Sequence, residues 1–208
     1  PFDYGYFSFV YDSSKLKQPP QSLKELVERN DLKIIYEDPR TSTPGQGLLL
    51  WVKQVYGEKA PAAWEQLAKK TVTVTKGWSE AYGMFLKGQS DLVLSYTTSP
   101  AYHRLAEHNL QYRAALFSEG HVRQVEVAAQ LKNATQPKLA QQFMQFVLSD
   151  RFQNLIPEGN WMYPVTNVVL PKDFNQNETP AKTLSVDAKK LGTQRKVWVK
   201  EWLQAVSH

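Results

Sequence analysis

The stretch "TVTVTKGWSEAYGMFLKGQSDLVLSY", residues 71–96, holds a complete strand–helix–strand unit. "TVTVT" (71–75) and "DLVLSY" (91–96) are short β-branched or apolar runs of strand length. Between them Ser79 to Lys87 has helix spacing, and the whole repeats the order expected of parallel strands joined by crossover helices. The neighbouring segments continue the alternation. "YGYFSFVY" and "LKIIYE" (32–37) read as strands, with a helix between them opened by the S-x-x-E box of Ser22 and Glu25. "DPRTSTPGQG" leads into a helix with Thr43 as N-cap, Pro44 at its first position and Gly57 beyond its end. A second Pro-initiated helix carries Trp64, Leu67 and Ala68; another is capped by Ser99 ahead of Pro100. "HVRQVEVAAQ" is strand-like, and "PKLAQQFMQFVLS" places Leu139, Phe143, Phe146 and Val147 on one stripe. Residues 157–181 are irregular, and a helix near 194–206 buries Trp198, Trp202 and Val206. The succession predicts an α/β fold with a largely parallel sheet.

At 208 residues, with 42% hydrophobic and 22% charged residues, the chain has the composition of an ordinary globular protein with a sizeable core. No apolar run approaches the length of a membrane span, so no transmembrane segment is expected. The chain opens directly on the strand "PFDYGYFSFVYD" without a Met, which predicts a processed or truncated chain. There is no cysteine, which excludes disulfides, thiolate metal sites and a cysteine nucleophile on this chain. The net charge of +5 raises nucleic acid as a partner, but the basic residues are dispersed. The densest run, "KKLGTQRKVWVK", reads as a solvated helix face, so no nucleic-acid partner is expected.

Catalytic and metal templates are missing: there is no H-E-x-x-H, G-x-S-x-G or phosphate-loop motif. The four histidines, His103, His108, His121 and His208, show no ligand spacing, and His121 reads as structural. Neither a metal nor a cofactor is expected. What recurs is a set of hydroxyl residues at strand-to-helix junctions: Thr41, Ser42 and Thr43; Ser79; Thr97, Thr98 and Ser99. In an open α/β sheet such junctions gather at the carboxyl ends of the strands, where helix N-termini present N–H groups to a ligand. Simple capping accounts for any one of them equally well. Beside them sit Trp78, Tyr96 and Tyr102, and "EGNWMYP" adds Trp161 and Tyr163 in a loop. Tyr82 and Trp64 fit a core. Aromatic faces at several loop mouths suit a flat, cationic or sugar-like ligand with a polar or anionic tail.

"PFDYGYFSFVYD", "DPRTSTPGQGLLLW", "TVTVTKGWSEAYG", "SDLVLSYTTSPAYH" and "NWMYPVTNVVLP" together closely resemble the thiamine-binding members of the type II periplasmic binding-protein family, which serve bacterial ABC importers. The likeness runs over essentially the whole chain. It implies two α/β lobes joined by hinge strands, of which this chain holds the second lobe, hinge strands and returning helices, with most of the first lobe absent. It further implies a division into residues 1–125, hinge strand and second lobe, and 126–208, a return strand and C-terminal helices that partly complete the first lobe. The implied function is periplasmic capture of thiamine and its mono- and diphosphate for delivery to a membrane permease. Trp78 and Trp161 would enclose the rings, with Tyr96 and Tyr102 beside them, and Ser42 with Thr41 and Thr43 would meet the phosphate or hydroxyethyl end. The alternatives are a thiaminase-like transferase, which needs an activated cysteine, and a relative that binds another small cation or metal. The glycosylation-type triplets at Asn133 and Asn177 carry no weight in a bacterial protein.

Overall fold

The computed structural model describes residues 1–176 and 178–207; Asn177 and His208 lie outside the described residues. Strand β1 (Asp3–Asp12) organises the molecule because its two halves pair with different partners. Asp3 to Tyr6 run antiparallel to β6 (His121–Glu126), and Asp3 and Tyr4 also meet β7 (Tyr163–Pro164). Phe7 to Tyr11 run antiparallel to β4 (Leu92–Tyr96), and Val10 to Asp12 meet β5 (Tyr112–Ala114). Beyond β4 lie β2 (Ile34–Glu37) and then β3 (Thr71–Thr75), both parallel to each other and β2 parallel to β4. The short β8 (Thr183–Leu184) extends β6 on the far side.

The sheet is therefore mixed, not largely parallel. Crossover helices build only the β2, β3 and β4 set, as the 71–96 stretch predicts. β1 has no crossover linking it to its neighbours, and an antiparallel partnership demands none. Both faces of the sheet are covered, so successive residues of one strand are buried on opposite sides. Phe7, Phe9, Ile34, Tyr36, Leu92 and Leu94 face a large core beneath α1 (Leu23–Glu28), α2 (Thr43–Tyr56) and α3 (Ala60–Lys70). Val10, Ile35 and Val93 face α4 (Trp78–Leu86) through Ala81, Tyr82 and Phe85. A third cluster joins α5 (Ser99–Ala106) to the first half of β1 through Ala101, Tyr4, Tyr6 and Tyr163.

The local end signals operate with shifts of one residue. Ser22 Oγ accepts from Glu25 N–H at 2.9 Å, while the Glu25 carboxylate reaches Gln21 N–H at 2.8 Å instead of Ser22. Ser42, not Thr43, is the N-cap of α2, Thr98 takes that place before α5, and Gly57 closes α2 at φ +55°. The short helix α7 (Asp150–Gln153) precedes the irregular region, and α8 (Ile156–Gly159) runs into its start.

The terminal helix α9 (Ala188–Val206) packs on α2 and α3. There Trp198, Trp202 and Ala205 enter the large core, and Trp202 Nε1–H donates to Tyr36 Oη at 3.1 Å. The apolar stripe of α6 (Pro137–Phe146) buries only its last expected member, Val147; Leu139, Phe143 and Phe146 are exposed. Periodicity marks a face as apolar but does not say what covers it. Among the described residues no helix is long and apolar enough to cross a membrane.

Candidate functional site

The carboxyl ends of β2, β3 and β4 each release the chain into a helix, so α2, α4 and α5 start side by side. Gly45 lets the first turn of α2 sit directly against the Glu37 carbonyl, where any Cβ would collide with backbone. The N-caps of these helices are Ser42, Gly77 and Thr98, and none makes a side-chain capping bond. Capping therefore does not account for the hydroxyls at these junctions. First-turn N–H groups left open in this way form a positively polarised rim suited to an anion or polar acceptor.

That rim borders a cavity of about 860 Å³, of a size that takes a small organic ligand. Thr41, Ser42, Thr43, Trp78, Tyr96, Tyr102 and Trp161 all line it, joined by Ser79 and Ser99. Thr97 and Thr98 are buried and do not line it, and Tyr163 is buried against Tyr4 at 5.3 Å.

Trp78 is held rigidly on one side and open on the other. Its Nε1–H donates to Ser95 Oγ at 2.7 Å, and that hydroxyl is shared with Ser99 Oγ at 2.6 Å. One face of the indole stacks on Tyr82 at 4.9 Å, whose own hydroxyl meets His103 Nε2 at 2.9 Å. His103 in turn contacts Glu107 through Nδ1 at 2.6 Å. Even so, 40% of Trp78 remains exposed. Tyr102 is equally exposed, and its ring meets the edge of Trp161 at 5.3 Å and 86°. Trp161 sits at φ +55°, a left-handed conformation that costs a residue with a Cβ about 1 kcal/mol or more. Met162 packs this loop onto β1: its Sδ lies 2.6 Å from where a Cβ on Gly5 would stand, so a larger residue at position 5 would make the thioether move. Tyr96 differs from these walls. Its ring is packed on Phe7 at 5.3 Å, burial raises its pKa, and its hydroxyl donates to Gln124 Oε1 at 2.7 Å.

Sequence reasoning missed Gln124, Glu126, Asn160 and Met162, which line the same cavity from β6 and the loop after α8. Gln124 and Glu126 stand two residues apart and so on one face of β6, which was the available signal for two of them. His121, in contrast, is fully occupied by structure. Its Nε2 accepts from Phe117 N–H at 2.8 Å, which leaves Nδ1–H to donate to the Phe7 carbonyl at 2.7 Å. Burial pushes its pKa down to about 4, so it is neutral near pH 7. Among the described residues no group of three acidic or imidazole side chains is placed to hold a metal ion.

Open helix termini and exposed aromatic faces around one cavity, at the carboxyl edge of an α/β sheet, make a cleft of the kind in which solute-binding folds hold a small molecule. The chain belongs to the bacterial extracellular solute-binding protein family, whose model matches residues 1–190. It is similar to the thiamine-binding periplasmic protein of Escherichia coli strain K12, 65% identical over 208 residues. The corresponding protein of Salmonella typhimurium strain LT2 is 62% identical over the same length. Each alignment covers all of this chain, and the chain spans 64% of the length of these relatives. A solved structure described as a periplasmic thiamin binding protein superposes with a TM-score of 0.96 at 64% identity, over 100% of this chain and 66% of that one. These relatives are binding proteins by name.

Proposed function

We propose that this chain carries much of the binding site of a periplasmic thiamine-binding protein that delivers thiamine, or its mono- and diphosphate, to a membrane permease. The observation that carries the reading is the convergence of Trp78, Tyr102 and Trp161 with three uncapped helix N-termini in one cavity. Thiamine is a flat cation with a hydroxyl or phosphate tail, and each half of the ligand finds its complement. The exposed face of Trp78 and the raised ring of Trp161 take the cationic rings, where an aromatic face attracts positive charge. Ser42, Thr41, Thr43 and the first turns of α2 and α4 receive the tail, phosphate best of all because it is anionic.

Binding is the whole of the activity under this reading, and it needs no cofactor. β1 changes partners halfway along, from β6 and β7 to β4 and β5, and supplies a natural hinge for closure over the ligand. The cysteine nucleophile of a thiamine-cleaving transferase does not lie on this chain, and the relatives it matches are binding proteins by name.

The test is a tryptophan-fluorescence titration of the full-length protein with thiamine, thiamine monophosphate and thiamine diphosphate. Saturable quenching at micromolar or lower concentration is expected, because Trp78 and Trp161 report stacking directly. Absence of any response to all three ligands would reject thiamine as the solute.

A further inference from the structure

The β6 side of the cavity carries two carboxylates that form no ion pair among the described residues. Glu126, at the end of β6, lines the cavity and lies directly across the ladder from Asp3 of β1. Asp3 is completely buried; its Oδ2 accepts from Asn160 Nδ2 at 2.7 Å, and its Oδ1 has no hydrogen-bond partner among the described residues. Glu126 Oε1 accepts from Gln124 Nε2 at 3.0 Å, and Gln124 is itself held by Tyr96. The two carboxylates are thus oriented by amide groups, which carry no charge. None of the ion pairs among the described residues involves either of them.

A structural salt bridge would place a Lys or Arg here. An unpaired buried carboxylate beside a second one is costly, and a positive charge brought into the cavity relieves both. The raised pKa of Asp3, about 6, has burial as its largest cause and the neighbouring Glu126 as a further one, opposed by the Asn160 bond. The field of the pair opens toward the same cavity into which Trp78 and Trp161 turn their faces.

We infer that Glu126, with Asp3 behind it, is the specificity-determining group that makes this cavity prefer a flat cation over a neutral molecule of the same shape. Aromatic walls alone accept both, with a modest bias toward the cation; a carboxylate at the wall turns the bias into discrimination. Asn160 and Gln124 are positioning residues that fix the two carboxylates. The inference rests on the thiamine reading of the site.

The experiment compares thiamine with its neutral isostere 3-deazathiamine on the full-length protein and on Glu126→Gln, at pH 8. The parent should favour the cation. Glu126→Gln should weaken thiamine binding about tenfold or more and leave the neutral isostere within about twofold, and Glu126→Asp should restore part of the preference. Equal loss for both ligands, or no loss for either, overturns the inference. Should thiamine fail to bind the parent, the functional reading fails separately. The acidic wall is then judged on the 1-benzylpyridinium cation against neutral 2-benzylpyridine. Cation preference that is lost in Glu126→Gln sustains it; equal affinity, or binding of neither, overturns it.

Discussion

The six tryptophans divide between two regions and do opposite things in them. Trp51, Trp64, Trp198 and Trp202 are buried in the large core between the sheet and α2, α3 and α9. Trp78 and Trp161 stand at the cavity, Trp78 largely uncovered on one face. The indole N–H groups do not distinguish the regions: Trp51 donates to the Gly120 carbonyl at 3.0 Å and Trp202 to Tyr36, just as Trp78 donates to Ser95. What differs is the ring. Trp51 is closed in by Phe117 at 5.1 Å and His121 at 4.8 Å, whereas Trp78 has Tyr82 beneath it and the cavity above. A side chain satisfied on every side holds the fold together. One that is fixed in place yet left half-covered is prepared for something that arrives later.

Truncation in each region tests that division, and the largest effect belongs to the core. Trp51→Ala should cost about 3–5 kcal/mol of stability in urea unfolding, as emptied aromatic sites do. Ligand affinity measured well below the unfolding midpoint should stay within about twofold, since the residue is not among those that line the cavity. A large change in affinity with little loss of stability would break the comparison.

A smaller effect is expected at Glu37, where the dry interior comes closest to the rim. Its carboxylate is wholly buried at the end of β2, both oxygens lack hydrogen-bond partners among the described residues, and burial raises its pKa from 4.5 to about 8. Between those values the folded protein holds a proton that the unfolded chain has released. Folding is therefore favoured as pH falls, and stability declines as pH rises toward 8 and levels off above it. Glu37→Gln carries no such proton. Its stability advantage over the parent should grow by about 2–3 kcal/mol between pH 6 and pH 9 in thermal or chemical melts, at 1.36 kcal/mol per pH unit. A difference independent of pH would mean that Glu37 is ionised and partnered after all.

The smallest change in stability, and the more telling one, belongs to Trp78. Trp78→Ala should lower stability by about 1–2 kcal/mol, less than a core tryptophan, because 40% of it is already exposed to water. Its thiamine affinity should fall by about 1–3 kcal/mol in fluorescence or calorimetric titration. An unchanged dissociation constant would move Trp78 out of the site and leave Tyr102 and Trp161 as the walls.

Much of the cavity was legible in the sequence because its parts lie at strand-to-helix junctions. Once residues 71–96 read as strand–helix–strand, parallel pairing brings Ser42, Trp78 and Tyr102 to one edge, however far apart they are in the chain. The wall opposite was illegible for the complementary reason. Asp3, Glu126 and Asn160 meet only because β1 and β6 pair antiparallel and the loop after α8 folds back over them. Nothing local to "QVE" or "EGNW" announces a partner more than a hundred residues away.

Local chemistry settled where helices and strands begin and end, which faces are apolar, and which aromatic and hydroxyl residues crowd the turns. Those properties depend on neighbours within a few positions, where spacing and capping act directly. Long-range packing alone decided that β1 runs antiparallel through the centre of the sheet, that α9 returns to the large core, and that the α6 stripe stays open. It also decided which tryptophans are enclosed and which face the cavity. An indole has the same preference for burial everywhere in the chain, and only the elements that close over it determine whether that preference is met by the protein or left for a ligand.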